Sequence, residues 1–296
     1  MKEITILSGK GGTGKTSITA ALASVAKNAV YCDNDVDAAD LHLLFKPTIQ
    51  ETYDFSGGWA VSINSEKCDS CNLCMQYCRF DAIHQNENGD VFINSLQCEG
   101  CRLCERVCPN TAISSTENTN NHWFISTSRF GTLVHAEMGP GEENSGKLVS
   151  QIRKKAKEIG LASNHNYIIN DGPPGIGCAT IASLSGTNGV LLVIEPTKSG
   201  LHDAVRLVEL ISSFSVETYA VINKFDINLK VVREIETFLD ERNIPLLAHI
   251  PFNEKMVESM TIGQTIVEYL PESEITEIIR NVWKKLITTE GLNVIK

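Results

Sequence analysis

The sequence predicts an α/β protein with a doubly wound, mostly parallel sheet, into which a smaller α+β domain rich in cysteine is inserted. Three observations carry this expectation. A short apolar strand at the start of the chain runs straight into a glycine-rich loop and an Ala-rich helix. Apolar strands and amphipathic helices alternate through the second half. Eight of the ten cysteines fall in one 41-residue window, as two quartets of identical spacing. Alternation of this kind builds βα units on a shared sheet, with ligands at the carboxyl ends of its strands.

Composition sets the bounds. The chain has 296 residues, 42% of them hydrophobic, and removing an insert of roughly 60 residues leaves the length of one α/β domain. The net charge is −10 and no Lys/Arg cluster stands out, which argues against nucleic acid as a partner. No apolar run approaches the ~20 residues of a membrane span, so a membrane role is not expected. Met1-Lys2-Glu3 leads directly into a strand with no secretory leader, and the thiol content fits a reducing cytoplasm.

The first element is Ile4-Thr5-Ile6-Leu7-Ser8, followed by Gly9-Lys10-Gly11-Gly12-Thr13-Gly14-Lys15-Thr16 and a helix to about Lys27. Strand, glycine loop and helix are the setting of a P-loop. Its glycines let backbone N–H groups close around phosphate, and the helix N-terminus adds a positive dipole. Lys15 is placed to reach the β- and γ-phosphates of a nucleotide, and the Thr16 hydroxyl to ligate Mg²⁺. Ala29 to Cys32 is a strand ending in Asp33-Asn34-Asp35. Tyr167 to Asn170 is another, ending in Asp171-Gly172-Pro173-Pro174-Gly175. An acid at the end of a buried strand, before a Pro-Gly turn, is hard to explain structurally and makes Asp171 a candidate functional residue.

Further strands are expected at Leu133–Glu137, Val190–Ile194, Tyr219–Ile222 and Leu246–Ile250, and helices at Leu201–Phe214 and Leu229–Arg242. Asn223, Pro251 and Phe252 follow two of these strands and are candidates for the base side of the nucleotide site. The last helix carries Ile275, Ile278, Ile279, Val282, Trp283, Leu286 and Ile287 on one stripe, expected to dock on the core.

The cysteine window reads Cys68-x2-Cys71-x2-Cys74-x3-Cys78, then Cys98-x2-Cys101-x2-Cys104-x3-Cys108-Pro109. Around it Ile63-Asn64-Ser65 matches Ile93-Asn94-Ser95, and Ala82-Ile83 matches Ala112-Ile113, all offset by 30. The duplicated segment resembles a bacterial-type ferredoxin with two [4Fe–4S] clusters. In that pattern the last Cys of each run ligates the other cluster. The resemblance therefore implies Cys68, Cys71, Cys74 and Cys108 on one cluster, and Cys98, Cys101, Cys104 and Cys78 on the other. Cys78-Arg79 departs from the usual Cys-Pro, and Asn72 and Arg102 stand where glycine is common.

Lys10-Gly11-Gly12-Thr13-Gly14-Lys15-Thr16, with its extra Lys10, resembles the deviant Walker A of the MinD/ParA/nitrogenase iron protein superfamily, and Asp33-Asn34-Asp35 and Asp171 resemble its switch I and switch II acids. The resemblance covers nearly the whole chain. It implies an ATPase formed by residues 1–58 and 118–296, with the ferredoxin domain inserted at 59–117. It implies an ATP-dependent homodimer, or a heterodimer with a similar chain, in which Lys10 reaches the partner's nucleotide. Asp35 would activate water, Asp33 would support the Mg²⁺ shell, Asp171 would hold Mg²⁺ through water, and Asn223 would read adenine. The implied task is nucleotide-gated electron transfer or metallocluster assembly with a redox or metallocluster partner. A cluster carrier and a MinD-like spatial organiser are the alternatives. The Gly-rich loop 138–147, with Glu142, Glu143 and Lys147, is a candidate partner contact. Cys178 matches the offset of the iron protein's cluster ligand, but with no second cysteine to complete such a site it reads as a small buried residue, as does Cys32.

Overall fold

The computed structural model describes residues 1–95, 97–118, 121–138, 145–289 and 292. In chain order the elements are β1 (Lys2–Ser8), α1 (Lys15–Val25), β2 (Ala29–Asp33), α2 (Leu41–Phe45), β3 (Thr48–Phe55), β4 (Gly58–Ile63), α3 (Leu73–Tyr77), β5 (Ile83–Gln85), β6 (Val91–Ile93), α4 (Leu103–Val107), β7 (Ile113–Asn118), β8 (Asn121–Ser128) and β9 (Gly131–Glu137). There follow α5 (Ser145–Ala162), β10 (Tyr167–Pro174), α6 (Cys178–Leu184), β11 (Gly189–Ile194), α7 (Lys198–Ile211), β12 (Glu217–Asn223), α8 (Leu229–Glu241), β13 (Leu246–Ile250), α9 (Glu254–Thr261), α10 (Ile266–Tyr269) and α11 (Glu274–Thr288).

Two compact units are present. The first comprises residues 1–53, 123–137 and 146–296, and the second residues 54–122 and 138–145. A nine-stranded sheet of order β13-β12-β11-β1-β10-β2-β9-β8-β3 organises the first. The register is parallel from β13 through to β9. Its central strands are apolar on both faces, as a sheet covered on both sides requires. Successive side chains alternate between two cores. On β11, Leu191 and Val193 join the core of α1 and α11, while Val190, Leu192 and Ile194 join that of α7 and α8. The stripe of α11 is buried through Ile275, Ile279, Val282, Trp283 and Leu286.

Two strands extend the sheet beyond the sequence expectation. The edge strand β3 is exposed along nearly its whole length, and its alternating face, Ile49, Tyr53 and Phe55, is interrupted by Glu51. Strand β8 begins at Asn121, in a polar stretch of the chain, yet it buries Trp123 and Ile125.

The second unit repeats itself as the sequence does. Strand β4 pairs antiparallel with β7, and β5 with β6. Asn64 N–H donates to Ala112 O at 2.8 Å, and Asn94 N–H to Ala82 O at 2.7 Å. Asn72 and Arg102 both sit in the left-handed region, at φ 60° and 61°, which explains why glycine suits these positions. The core is small: Cys74, Ile83, Val91, Cys104 and Ile113, backed by Val61, Ile63 and Ile93. So few apolar side chains leave the unit dependent on something else for stability. Among the described residues, no helix is long and apolar enough to cross a membrane.

Candidate functional site

The glycine loop lies at the carboxyl end of central strand β1, beside those of β10 and β11. Gly12 and Gly14 take φ of 78° and 89°, which bend the loop back over the start of α1. Asn223, at the end of β12, braces it: its amide donates to Thr13 O at 2.7 Å. A side chain on Gly14 would collide with that amide.

Lys15 is 6% exposed and holds two acids, with Nζ 3.1 Å from Asp171 Oδ1 and 3.4 Å from Asp35 Oδ2. Thr16 donates to Asp171 Oδ2 at 2.6 Å, and Thr19 to Asp171 Oδ1 at 2.7 Å. Burial works against the charge on Lys15, but Asp171, Asp35 and Asp33 outweigh it and its pKa is raised. Asp33 is wholly buried, and burial, then Asp171, pushes its carboxyl up despite Lys15.

Burial also pushes Asp35 up, to about 6, with Lys15 acting the other way. The folded chain therefore keeps this proton to higher pH than the unfolded chain does. Its contribution to stability is lost as pH rises through the window from the ordinary 3.8 to about 6. The melting temperature of the nucleotide-free protein, relative to Asp35→Asn, is expected to fall across that window and level off above it. A gap that stays constant with pH would contradict the coupling.

Lys10 is held within its own chain. Its ammonium lies 3.0 Å from Glu195 Oε2 and donates to Thr197 Oγ1 at 3.1 Å and Ser199 Oγ at 3.3 Å. The other Glu195 oxygen takes Lys224 at 2.9 Å, and Lys224 donates to Gly12 O at 3.1 Å. These partners come from the end of β11, the start of α7 and the end of β12.

A cleft of about 550 Å³ opens over the loop, within the size range of small-molecule sites. Gly11, Gly12, Thr13, Gly14, Lys15, Thr16 and Asp35 line its polar side. Asn223, Pro251 and Phe252 line the other, with Leu43, Leu44, Met256, Val257 and Met260. Residues of α2 and α9 were not anticipated, because scattered Leu, Val and Met on short helices look like core. Lys10, Asp33 and Asp171 are not among the described residues lining the cleft.

In the second unit, Cys68, Cys71, Cys74 and Cys108 surround one recess. Cys78, Cys98, Cys101 and Cys104 surround another. Ala82 N–H donates to Cys78 Sγ at 3.4 Å, and Ala112 N–H to Cys108 Sγ at 3.3 Å. Among the described residues, no three His, Cys, Asp or Glu converge closely enough to hold one metal ion. Zinc needs four sulfurs about 2.3 Å from a single point. A cubane cluster takes one thiolate at each iron corner, so its ligands stand further apart. A four-thiolate donor set around an apolar-lined recess fits the cluster.

Cys178 departs from expectation. It is exposed, as the first residue of α6, rather than buried. Cys32 is buried. Residues 139–144 of the Gly-rich loop, including Glu142 and Glu143, lie outside the described residues.

A mostly parallel α/β sheet whose glycine loop and buried lysine line one cleft, with Asp35 and Asp171 paired to that lysine, defines a P-loop nucleotide-binding protein. The chain belongs to the CobQ/CobB/MinD/ParA nucleotide binding domain family, whose model matches residues 4–266. It is 36% identical over 233 residues to the uncharacterized protein MJ0578 of Methanocaldococcus jannaschii, covering 76% of this chain and 79% of that one. The septum site-determining protein MinD of Pyrococcus horikoshii, solved with Mg-ADP, superposes with a TM-score of 0.57 at 19% identity, over 97% of this chain and 96% of that one. An iron-sulfur cluster carrier protein of Haemophilus influenzae is 23% identical over 157 residues, 48% of this chain and 42% of that one.

Proposed function

We propose that the chain is an ATP-binding and hydrolysing dimeric switch that carries two [4Fe–4S] clusters and couples its nucleotide state to electron transfer with a partner protein. The observation that carries this reading is the pairing, in one chain, of the Lys15 cleft with two recesses, each walled by four cysteines drawn from both halves of the repeat. Lys15 binds the β- and γ-phosphates and Thr16 ligates Mg²⁺, with Asp171 supporting it through water. Asp35 orients the attacking water, and Asn223, Pro251 and Phe252 receive the base. Lys10, the mark of a deviant Walker A, crosses to a second copy or a similar chain. The clusters supply one-electron chemistry. Hydrolysis is Mg²⁺-dependent and slow without the partner.

The lysine–carboxylate cluster favours such a switch. Phosphate must compete with Asp35 for Lys15, so the segment carrying Asp35 responds to whatever occupies the cleft. A carrier reading, with iron–sulfur as cargo, is favoured by the name of the Haemophilus relative. Full cysteine quartets count against it, because a carrier needs an open or shared ligand position.

The test is the reduction potential of each cluster, measured without nucleotide, with ADP and with a non-hydrolysable ATP analogue. Linkage requires that a shift in potential be matched by a shift in ATP affinity on reduction. A shift of about 59 mV, a tenfold change in affinity for a one-electron couple, is expected in at least one cluster. Equal potentials in all three states, with ATP affinity indifferent to reduction, would overturn nucleotide gating.

A further inference from the structure

We propose that Asp33 is a positioning residue that folds the segment 34–41 and so aims Asp35 at the phosphate site. The inference rests on the reading of Asp35 as the residue that orients water.

Both oxygens of Asp33 are already occupied. Oδ1 accepts from Asp35 N–H and Oδ2 from Leu41 N–H, each at 3.2 Å. One carboxylate thus ties the start of the segment to its end. Asn34 N–H donates to Asp171 O at 2.8 Å, and Ala38 N–H to Asp35 O at 3.1 Å, closing a turn between the two anchor points. The side chain of Asn34 is wholly buried, yet neither its nitrogen nor its oxygen has a hydrogen-bond partner. Side-chain anchoring at the root of the segment therefore falls on Asp33.

Position agrees with this role. Asp33 is 0% exposed. Asp35, Ala38 and Asp40 line the cleft, and among the described lining residues Asp33 does not. Each Asp33 oxygen spends one acceptor site on a backbone N–H, and the two bonds together hold the start and the end of the segment. Leu41, which it also holds, begins α2, and α2 brings Leu43 and Leu44 to the apolar side of the cleft. One buried acid thereby sets the segment lining both sides of the site. An amide in its place would turn an NH2 group toward one of the two N–H donors, so Asp33→Asn removes one tie while keeping the size of the side chain.

The experiment is a double-mutant cycle on the full chain. ATP hydrolysis is measured for wild type, Asp33→Asn, Asp35→Asn and the double variant over a series of Mg²⁺ concentrations, with binding of a fluorescent ATP analogue followed in parallel. Asp33→Asn is expected to lower kcat about tenfold or more while nucleotide affinity and the Mg²⁺ midpoint stay within about threefold, and to have no further effect in the Asp35→Asn background. Additive losses, or a Mg²⁺ midpoint moved upward in Asp33→Asn, would overturn the proposal. Retained hydrolysis in Asp35→Asn alone would instead remove the role given to Asp35. A second measurement needs no variant: amide hydrogen exchange in nucleotide-free wild type. Strong protection of the Asp35 and Leu41 amides relative to Asp37 is expected, and fast exchange at both would overturn the tie even if Asp33→Asn fails to fold.

Discussion

Lys15→Ala is expected to bind no nucleotide and to melt at a distinctly lower temperature than wild type. Two losses combine. The phosphates lose a charge-assisted donor that water in a half-enclosed cleft replaces poorly. The protein also loses the cation that holds Asp171 and Asp35 at 3.1 and 3.4 Å. Removing one partner from a buried ion pair costs about 3–5 kcal/mol, because the remaining charge stays buried. Here the orphaned group is a cluster, since Asp33 also faces the lysine. Part of the stability is expected to return on acidification, as the stranded carboxylates take up protons. Titration calorimetry with ATP and thermal melts at several pH values check both halves. Binding within tenfold of wild type would contradict the assignment of Lys15.

The cysteine recesses give the second large effect. Anaerobically prepared protein is expected to hold about eight iron and eight sulfide per chain. Each recess draws three cysteines from one run and its fourth from the other. A pair of substitutions can then separate crossed from local ligation. Cys71→Ala with Cys108→Ala removes two walls of the same recess, and about four irons should remain. Cys71→Ala with Cys78→Ala strikes both recesses and should leave almost none. Local ligation predicts the reverse pattern. Tight zinc with no sulfide would remove the clusters altogether. The small core around Cys74 and Cys104 makes the unit's stability depend on what the thiolates hold.

Much of this was legible in the sequence because the governing constraints are local. The glycine loop, the apolar strands β1, β10 and β11 and the cysteine spacing each announce themselves within a dozen residues. Strand β3 was not read: its alternating face holds Ile49, Tyr53 and Phe55 but is broken by Glu51, and most of the strand is exposed. The bracing role of Asn223 was not legible either. Its amide reaches Thr13 across 210 positions, and only the strand order brings β12 to the loop. The same is true of Glu195, which meets Lys10 because β1 and β11 are neighbours. Cys178 was misread for a related reason, since its exposure depends on where α6 begins, which no periodicity records.

The two oxygens of Glu195 serve two lysines, Lys10 and Lys224, and this sharing changes what it takes to mobilise Lys10. An ammonium that swings away normally strands its carboxylate, and the penalty for stranding opposes the swing. Glu195 would keep Lys224 as a counter-ion. The outward and inward positions of Lys10 therefore lie closer in free energy than a lone ion pair would allow. An equilibrium so nearly balanced can be tipped either way by a small differential affinity, as the proposed crossing of Lys10 to a second copy would require.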